Sequence, residues 1–260
     1  MTVRARENPF RTSRIGALPF RHPTLDFETI VARLEGHDRR AEIVGPHGSG
    51  KTTLLGEIGD HLEGDGYTVH RWRFHADRAP PPARRLVDAA GALGDRDALL
   101  VDGAGHLARP AWWRVKRAAR HAGGLVITAH AAGRLPSLLE TGTDTGLLEE
   151  LTRELLGAWS QDLEELTALR FEARHGNLRD VFLDLYDLAS KGDARLASFA
   201  RRGRGQEFSS SASGPPSLPL SPTSSSSPGT PCEASSSGLA SSSSVVGMPM
   251  RNAAKPGITT

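Results

Sequence analysis

Cysteine is almost absent from this sequence, since Cys232 is the only one among 260 residues. A single thiol cannot form an intrachain disulfide, and no group of cysteines and histidines has zinc-binding spacing. The N-terminal residues run into polar side chains and proline and contain no apolar core of the kind found in a signal peptide. No stretch of about 18 apolar residues occurs, so we expect no membrane-spanning helix. These absences together favour a protein of the cytoplasm.

Aromatic residues make up only 5% of the chain and hydrophobic residues 38%, which are low values for a chain that folds throughout. The formal net charge of +2 indicates no general attraction to nucleic acid, although local basic clusters exist. From residue 209 onwards the chain is mostly Ser, Pro, Gly and Ala. We therefore predict a disordered tail at residues 205–260, which is either inert or bound or phosphorylated by a partner.

The rest of the sequence alternates between short apolar runs and helical patterns. Continuous apolar runs are typical of buried parallel strands, and helical spacing of leucines is typical of amphipathic helices. Strands are predicted at 41–44, 67–74, 98–101 and 125–127, with an edge strand at 135–139. Helices are predicted between them at 51–62, 83–93 and 110–121. This alternation predicts an α/β fold with a parallel sheet between layers of helices.

Three apolar stripes at helical spacing follow Gly142 and predict a group of C-terminal helices. The first stripe contains Leu147, Leu148, Leu151 and Leu155. The second contains Leu163, Leu166 and Leu169. The third contains Leu178, Val181, Phe182, Leu185 and Leu188.

The most specific motif is an uninterrupted match to G-x-x-x-x-G-K-[ST], the phosphate-binding P-loop. It follows the strand predicted at 41–44 and opens the helix predicted at 51–62. Glycines let successive backbone N–H groups turn toward phosphate oxygens, and the helix presents its positive end to the same anion. The motif residues are Gly45, Pro46, His47, Gly48, Ser49, Gly50, Lys51 and Thr52. The sequence therefore predicts that the chain binds ATP.

Particular side chains at this motif have separate predicted roles. Lys51 is expected to reach the β- and γ-phosphates, and the hydroxyl of Thr52 to ligate Mg²⁺. Thr53 follows one residue too late for the metal, and we assign it to nucleotide binding. Asp102 ends the apolar run at 98–101, where a P-loop protein needs a carboxylate to hold the Mg²⁺ water shell. Thr52 and Asp102 are thus the predicted metal site.

The P-loop and the Asp102 strand resemble those of P-loop ATPases of the AAA+ and STAND-like, additional-strand division. The resemblance implies that a polar residue at the end of the next strand senses the γ-phosphate. Thr128 stands there, and His130 follows two residues later. It also implies an arginine near the start of a late helix that faces the nucleotide. The phrase Gly176-Asn177-Leu178-Arg179 points to Arg179, with Arg174 as a second candidate.

One position departs from the family pattern. In these ATPases an acidic residue follows the metal-binding Asp and activates the attacking water, whereas here Gly103 follows. His106 either orients that water or is an ordinary polar loop residue. The family also packs an N-terminal segment against adenine, so Phe10 and Phe20 are each either an adenine contact or a core residue. Arg134 and Arg153 are the candidates for an arginine that completes the site of a neighbouring subunit, since an oligomer is compatible with the sequence.

The resemblance implies a division of the chain into four parts. Residues 1–35 form a segment that flanks the nucleotide site, and residues 36–142 form the P-loop core, a three-layer sandwich. Residues 143–204 form a small helical lid, and residues 205–260 form the tail.

Two basic clusters leave the partner open. Residues 112–121 combine two tryptophans with four Arg and Lys residues. One tryptophan is expected to face the sheet, and the rest of this helix either binds nucleic acid or a protein partner or is an ordinary solvated face. Residues 201–204 form the second cluster, at the start of the tail.

Three functions remain open from the sequence. The first is an AAA+/STAND-like ATPase that couples the binding and hydrolysis of ATP to a conformational change on a protein or nucleic-acid partner. The second is a nucleotide-gated binding module without hydrolysis, which Gly103 favours. The third is a P-loop phosphotransferase, which would draw on the polar residues at 75–78 and on Arg84 and Arg85.

Overall fold

A five-stranded sheet carries helices on both faces in the computed structural model, which describes residues 5–74 and 83–196. The strands are β1 (Arg40–Val44), β2 (Thr68–Arg73), β3 (Asp97–Asp102), β4 (Gly124–Ala129) and β5 (Ser137–Glu140). The helices are α1 (Thr12–Ile15), α2 (Phe27–Gly36), α3 (Lys51–Gly64), α4 (Ala83–Gly91), α5 (Arg109–Ala118), α6 (Thr145–Leu156), α7 (Gln161–Ala173) and α8 (Leu178–Lys191).

All four strand pairings in the sheet are parallel, and the strand order is β2-β3-β4-β1-β5. The strand β4 lies between β1, which leads into the P-loop, and β3, which ends at Asp102. Since parallel strands point the same way, the residues that follow them gather at one edge of the sheet. That edge is where the predicted site residues meet.

The central strands are buried on both faces, and alternate side chains enter two different layers. In β3, Leu99 and Val101 pack with residues of α4 and α5, whereas Ala98 and Leu100 pack with residues of α2 and α3. In β4, Leu125 and Ile127 enter the first layer and Val126 enters the second. The predicted three-layer α/β architecture with a parallel sheet is confirmed.

The C-terminal helices α6, α7 and α8 have a core of their own. Most of the buried residues in this core are leucines from the three predicted stripes, and Phe182 lies among them. Phe10 joins this core and stacks on Phe182 with ring centroids 6.2 Å apart. The inclusion of Leu169 in the second stripe was wrong, because its side chain is 65% exposed. Leu163 and Leu166 face the core together with Thr167, and Leu169 lies to one side of this buried face.

The sequence patterns missed α2, although its start has a clear cause. The side chain of Asp26 caps the helix by accepting a hydrogen bond from the Thr29 N–H at 2.8 Å. Ile30 and Leu34, four residues apart, bury its inner face.

In the part of the chain that the structure describes, no helix is both long and apolar enough to cross a membrane. The predicted tail, Cys232 and the basic cluster at 201–204 lie outside the described residues.

Candidate nucleotide-binding site

The loop between β1 and α3 forms a cradle of backbone N–H groups. Gly48 and Gly50 have φ angles of 72° and 85°, in the left-handed region that favours glycine. Within the described chain, the N–H groups from His47 to Thr53 donate to no protein acceptor. Consecutive free N–H groups at the start of a helix are the donors that a polyphosphate needs. The loop therefore fits the anion that the sequence predicts.

Two glycines of the loop are required because other elements approach them closely. A Cβ atom built on Gly48 would lie 1.9 Å from Oδ1 of Asn177, the N-cap residue of α8. A Cβ atom built on Gly45 would lie 2.1 Å from Oγ1 of Thr141, which follows β5. The loop thus lies between the end of β5 on one side and the start of α8 on the other.

Lys51 lies across the loop and is almost completely buried. Its Nζ donates to the carbonyl oxygen of Gly45 at 2.8 Å and also to that of Pro46. Burial lowers the pKa of the Lys51 ammonium, and the nearby Asp102 carboxylate partly offsets this effect. The Lys51 charge therefore lies against the carbonyl oxygens at the start of the loop.

The Asp102 carboxylate lies beside the predicted metal-binding threonine. Oγ1 of Thr52 donates to Oδ2 of Asp102 at 3.0 Å, and Oγ1 of Thr128 donates to Oδ1 at 2.7 Å. The Thr128 oxygen also accepts the Gly103 N–H at 2.8 Å. The described residues contain no group of three or more His, Cys, Asp or Glu side chains that could hold a metal ion. One hydroxyl and one carboxylate suit Mg²⁺, which usually completes its octahedron with phosphates and water.

Arg73 is a member of this cluster that the sequence patterns did not identify. Its Nε donates to Oδ2 of Asp102 at 3.0 Å. The contact arises because β2 and β3 pair in parallel with Arg73 opposite Asp102. Only the strand order reveals it, since the two residues are far apart along the chain.

Three histidines gather beside the loop at the same edge. The rings of His47 and His130 have centroids 4.0 Å apart, and those of His106 and His130 are 6.3 Å apart. Nδ1 of His130 lies 3.2 Å from the Gly45 carbonyl oxygen. Burial lowers the pKa of His130, and the nearby Lys51 charge lowers it further against the effect of the Gly45 hydrogen bond. His130 is therefore held neutral at neutral pH.

The start of α8 lies against the P-loop, as the Asn177 contact with Gly48 shows. Arg179 lies two residues further along, is exposed, and has no carboxylate or carbonyl partner within the described ranges. Arg174, the second candidate, instead forms two bonds to Asp184 at 2.8 and 2.6 Å. Arg179 is thus an exposed charge without a partner in the described ranges, whereas Arg174 is paired.

A cavity of about 260 Å³ opens between the segment before α2, α2 itself and Glu150 of α6. Phe20 lines it, and a Cβ atom built on Gly50 would lie 3.0 Å from Cδ2 of Phe20, so this ring also touches the P-loop. Glu57 fixes the segment by accepting the Phe20 N–H at 2.6 Å. Phe10 lies elsewhere, in the core of the C-terminal helices.

A buried network supports the loop between β4 and β5. The Glu42 side chain is fully buried and accepts the N–H groups of Gly133, Arg134 and Leu135 at 2.6, 3.0 and 3.2 Å. The Arg134 guanidinium donates to the carbonyl oxygens of Gly105 and Leu107. Arg134 is therefore occupied within the chain, between the segment after Asp102 and the loop after β4. The other candidate, Arg153, pairs with Glu149.

The chain matches no protein-family model and no curated protein. Several solved structures resemble it weakly. The replication initiator DnaA bound to AMPPCP and single-stranded DNA is 14% identical with a TM-score of 0.48, over 70% of this chain and 65% of that one. AMPPCP-bound DnaA from Aquifex aeolicus is 15% identical with a TM-score of 0.45, over 70% and 66%. PCH-2 from C. elegans is 15% identical with a TM-score of 0.36, over 62% and 67%.

The chain spans just under two thirds of the length of these two DnaA chains. These identities and TM-scores are too low to define the class of this protein. The class is defined instead by the chain's own sheet and P-loop. A parallel sheet whose first strand leads through G-x-x-x-x-G-K-T into a helix defines a P-loop α/β fold.

Proposed function

We propose that this chain is an ATP-binding protein of the AAA+ type that changes conformation with its nucleotide. One observation carries the proposal above all others. The backbone N–H groups from His47 to Thr53 are without acceptors in the described chain, and the Lys51 ammonium donates to the carbonyl oxygen of Gly45 in the same loop. The position of β4 between β1 and β3 also agrees with the additional-strand division.

The roles of the site residues follow from this placement. The loop from Gly45 to Thr53 would hold the phosphates, with Lys51 at the β- and γ-phosphates. Mg²⁺ would bind the Thr52 hydroxyl and, directly or through water, the Asp102 carboxylate. When bound, the ion neutralises charge on the phosphates. Thr128 would hold and orient Asp102. A change at the γ-phosphate would then reach Thr128 through the Asp102 carboxylate.

The adenine base has a suitable place beside the loop. The cavity next to Phe20 adjoins Gly50, and its lining combines the apolar side chains of Leu25, Phe27 and Ile30 with the polar ones of Arg21, His22, Asp26 and Glu150. An aromatic ring and aliphatic walls provide the surface on which a purine packs. We therefore assign the adenine contact to Phe20 rather than to Phe10, and regard residues 1–35 as the flanking segment.

The C-terminal helices would act as the lid. Asn177 touches the P-loop, and Arg179 follows it as an unpaired charge in the described structure. A γ-phosphate would attract Arg179 and so bias the position of α8 relative to the sheet. Residues 143–204 would pass this change to a protein or nucleic-acid partner.

Nucleotide binding is tested by titrating ATP with and without Mg²⁺, using the Lys51→Ala variant and a matched Lys191→Ala control. Lys191 is exposed at the end of α8, away from the loop. We expect Lys51→Ala to weaken binding at least about tenfold, since it removes a charge-assisted contact worth about 1.5–3 kcal/mol. Lys191→Ala should bind as the wild type does. Equal binding by Lys51→Ala and wild type would refute the proposal.

Whether ATP is hydrolysed separates the proposal from a nucleotide-gated binding module. The absence of any Asp or Glu between Gly103 and Leu139 favours the module. Steady-state phosphate release decides: turnover above that of Lys51→Ala supports an ATPase. Turnover equal to Lys51→Ala, with ATP still bound by the wild type, supports the module. Phosphoryl transfer to small acceptors would indicate the phosphotransferase, whose residues at 75–78 lie outside the described ranges.

A further inference from the structure

The helix α5 presents a stripe of cations beside an exposed tryptophan. Trp112 and Val115 are buried against the sheet, whereas Trp113 is 62% exposed. Trp113, Lys116 and Arg117 are three and four residues apart, and Arg120 follows in the next turn, so all four lie along one side. We call these four residues the α5 stripe. No Asp or Glu occurs between Gly103 and Leu139, so the stripe has no acidic neighbour in sequence.

The cations of the stripe have no carboxylate partners within the described ranges. Several other arginines do, as Arg71 has Asp60 and Glu63. None of Lys116, Arg117 and Arg120 forms a salt bridge with any residue that the structure describes. Unpaired cations on one side of one helix create a local positive potential, although the whole chain is almost neutral.

Trp113 adds an aromatic surface to this potential. Because Trp113 is more than half exposed, a large aromatic ring faces water beside these cations. The guanidinium of Arg117 lies 5.9 Å from the centroid of that ring. An indole next to cations is the combination that binds single-stranded nucleic acid, in which bases stack on the ring and phosphates meet the charges.

We propose that the α5 stripe binds single-stranded nucleic acid. A single strand is favoured over a duplex because only an unpaired base offers its face to the Trp113 ring. The proposal deepens the proposed function, on which it rests for its biological role, by naming the class of partner.

The stripe is also connected to the nucleotide site. The carbonyl groups of Gly105 and Leu107, between Asp102 and α5, accept hydrogen bonds from Arg134. Arg134 in turn lies 5.7 Å from the ring centroid of Trp112, the buried neighbour of Trp113. A bound strand on α5 thus lies one short segment from Asp102.

The test measures fluorescence anisotropy of a labelled oligothymidylate against the full chain without any nucleotide, so that the result does not depend on ATP binding. The double variant Lys116→Ala/Arg117→Ala is compared with Arg33→Ala/Lys191→Ala, which removes the same two charges from exposed positions elsewhere. Each lost phosphate contact changes the salt slope for single strands by about 0.7. We expect the stripe variant alone to bind more weakly and to lose about 1.4 from that slope.

The aromatic part is tested by Trp113→Ala and Trp113→Phe. Loss of one base stack should weaken binding about 5- to 150-fold for the alanine variant, whereas the phenylalanine variant keeps a ring and should retain most of the affinity. Binding of ATP by each variant is measured separately, so failure of the stripe and failure of the ATP site are distinguished. Unchanged affinity in both stripe variants overturns the proposal, as does a preference for duplex or equal competition by polyglutamate.

Discussion

Asp102 receives hydrogen bonds from three different elements, namely Thr52 of α3, Thr128 of β4 and Arg73 of β2. The Thr128 hydroxyl donates a hydrogen bond to this carboxylate and also accepts one from the Gly103 N–H. It therefore acts as donor and acceptor at once. We therefore expect a change at the metal to reach Thr128 through Asp102. Arg73 shares the oxygen Oδ2 with Thr52, which places a cation beside the predicted metal position.

If ATP is hydrolysed, we propose that His130 orients the attacking water, because its ring lies at the P-loop beside His106. Its Nδ1 bonds to the Gly45 carbonyl as a donor, which leaves the lone pair on Nε2. Protonation removes that lone pair, and the pKa of His130 is lowered below 6.5 by burial. Turnover should hence be present at neutral pH and fall as the pH drops through the lowered pKa of His130. The pH profile of kcat/KM measures this.

The His130→Asn variant should lower kcat about 10²- to 10⁴-fold, the range of general base catalysis, and should lose the acidic limb of the profile. His121→Asn, at an exposed position in the turn after α5, is the control and should keep the wild-type profile. An acidic limb that persists in His130→Asn would show that another group titrates.

For single residues, the sequence predicted those of the P-loop, since their chemistry is set by a local motif. The meeting of Thr52 with Asp102 could also be expected, because both stand at carboxyl ends of strands or next to them. Arg73 and the packing of His47 against His130 could not be predicted. Each depends on which strands are neighbours, and this information is not contained in any local pattern.

Among the secondary-structure elements, β1 has a second task besides leading into the P-loop. Glu42 points from β1 into the loop between β4 and β5 and accepts three backbone N–H groups there. Glu42→Gln would set an amide NH₂ against at least one of these donors. We expect a loss of about 1–3 kcal/mol in the free energy of unfolding, measured by urea denaturation.

Glu164→Gln is the matched control, since Glu164 is exposed in the first turn of α7. Its effect should stay within about 0.5 kcal/mol, as for most surface changes. Equal stability of Glu42→Gln and this control would mean that the buried carboxylate contributes nothing to the loop.

The strands and most helices could be predicted because their apolar periods are regular. The helix α2 could also have been predicted, because Ile30 and Leu34 stand four residues apart after the N-cap Asp26. Leu169 continues the three-residue spacing of α7 but lies to one side of the face that Leu163, Leu166 and Thr167 bury. Propensity and period describe one element, whereas burial depends on what lies against it.

For the molecule as a whole, the contact of Asn177 with Gly48 joins the C-terminal helices to the sheet at the phosphate loop. If these helices act as a lid, Mg-ATP should slow hydrogen exchange both in the loop from His47 to Thr53 and in the first turns of α8. Hydrogen exchange with mass spectrometry measures both regions in one experiment.

The helix α4 lies on the opposite face of the sheet from α3 and serves as the internal reference, where exchange should not change. Arg179→Ala should retain protection of the loop but lose that of α8. Protection that stops at α3 in the wild type would contradict the coupling.

The same contact limits how this protein can be engineered. Because the Asn177 side chain occupies the space where a larger residue at position 48 would project, the loop and the start of α8 form a matched pair. A chimera that takes its phosphate loop from another scaffold must therefore also import the corresponding helix cap. Exchanging either half by itself would leave a steric clash or a gap at the junction.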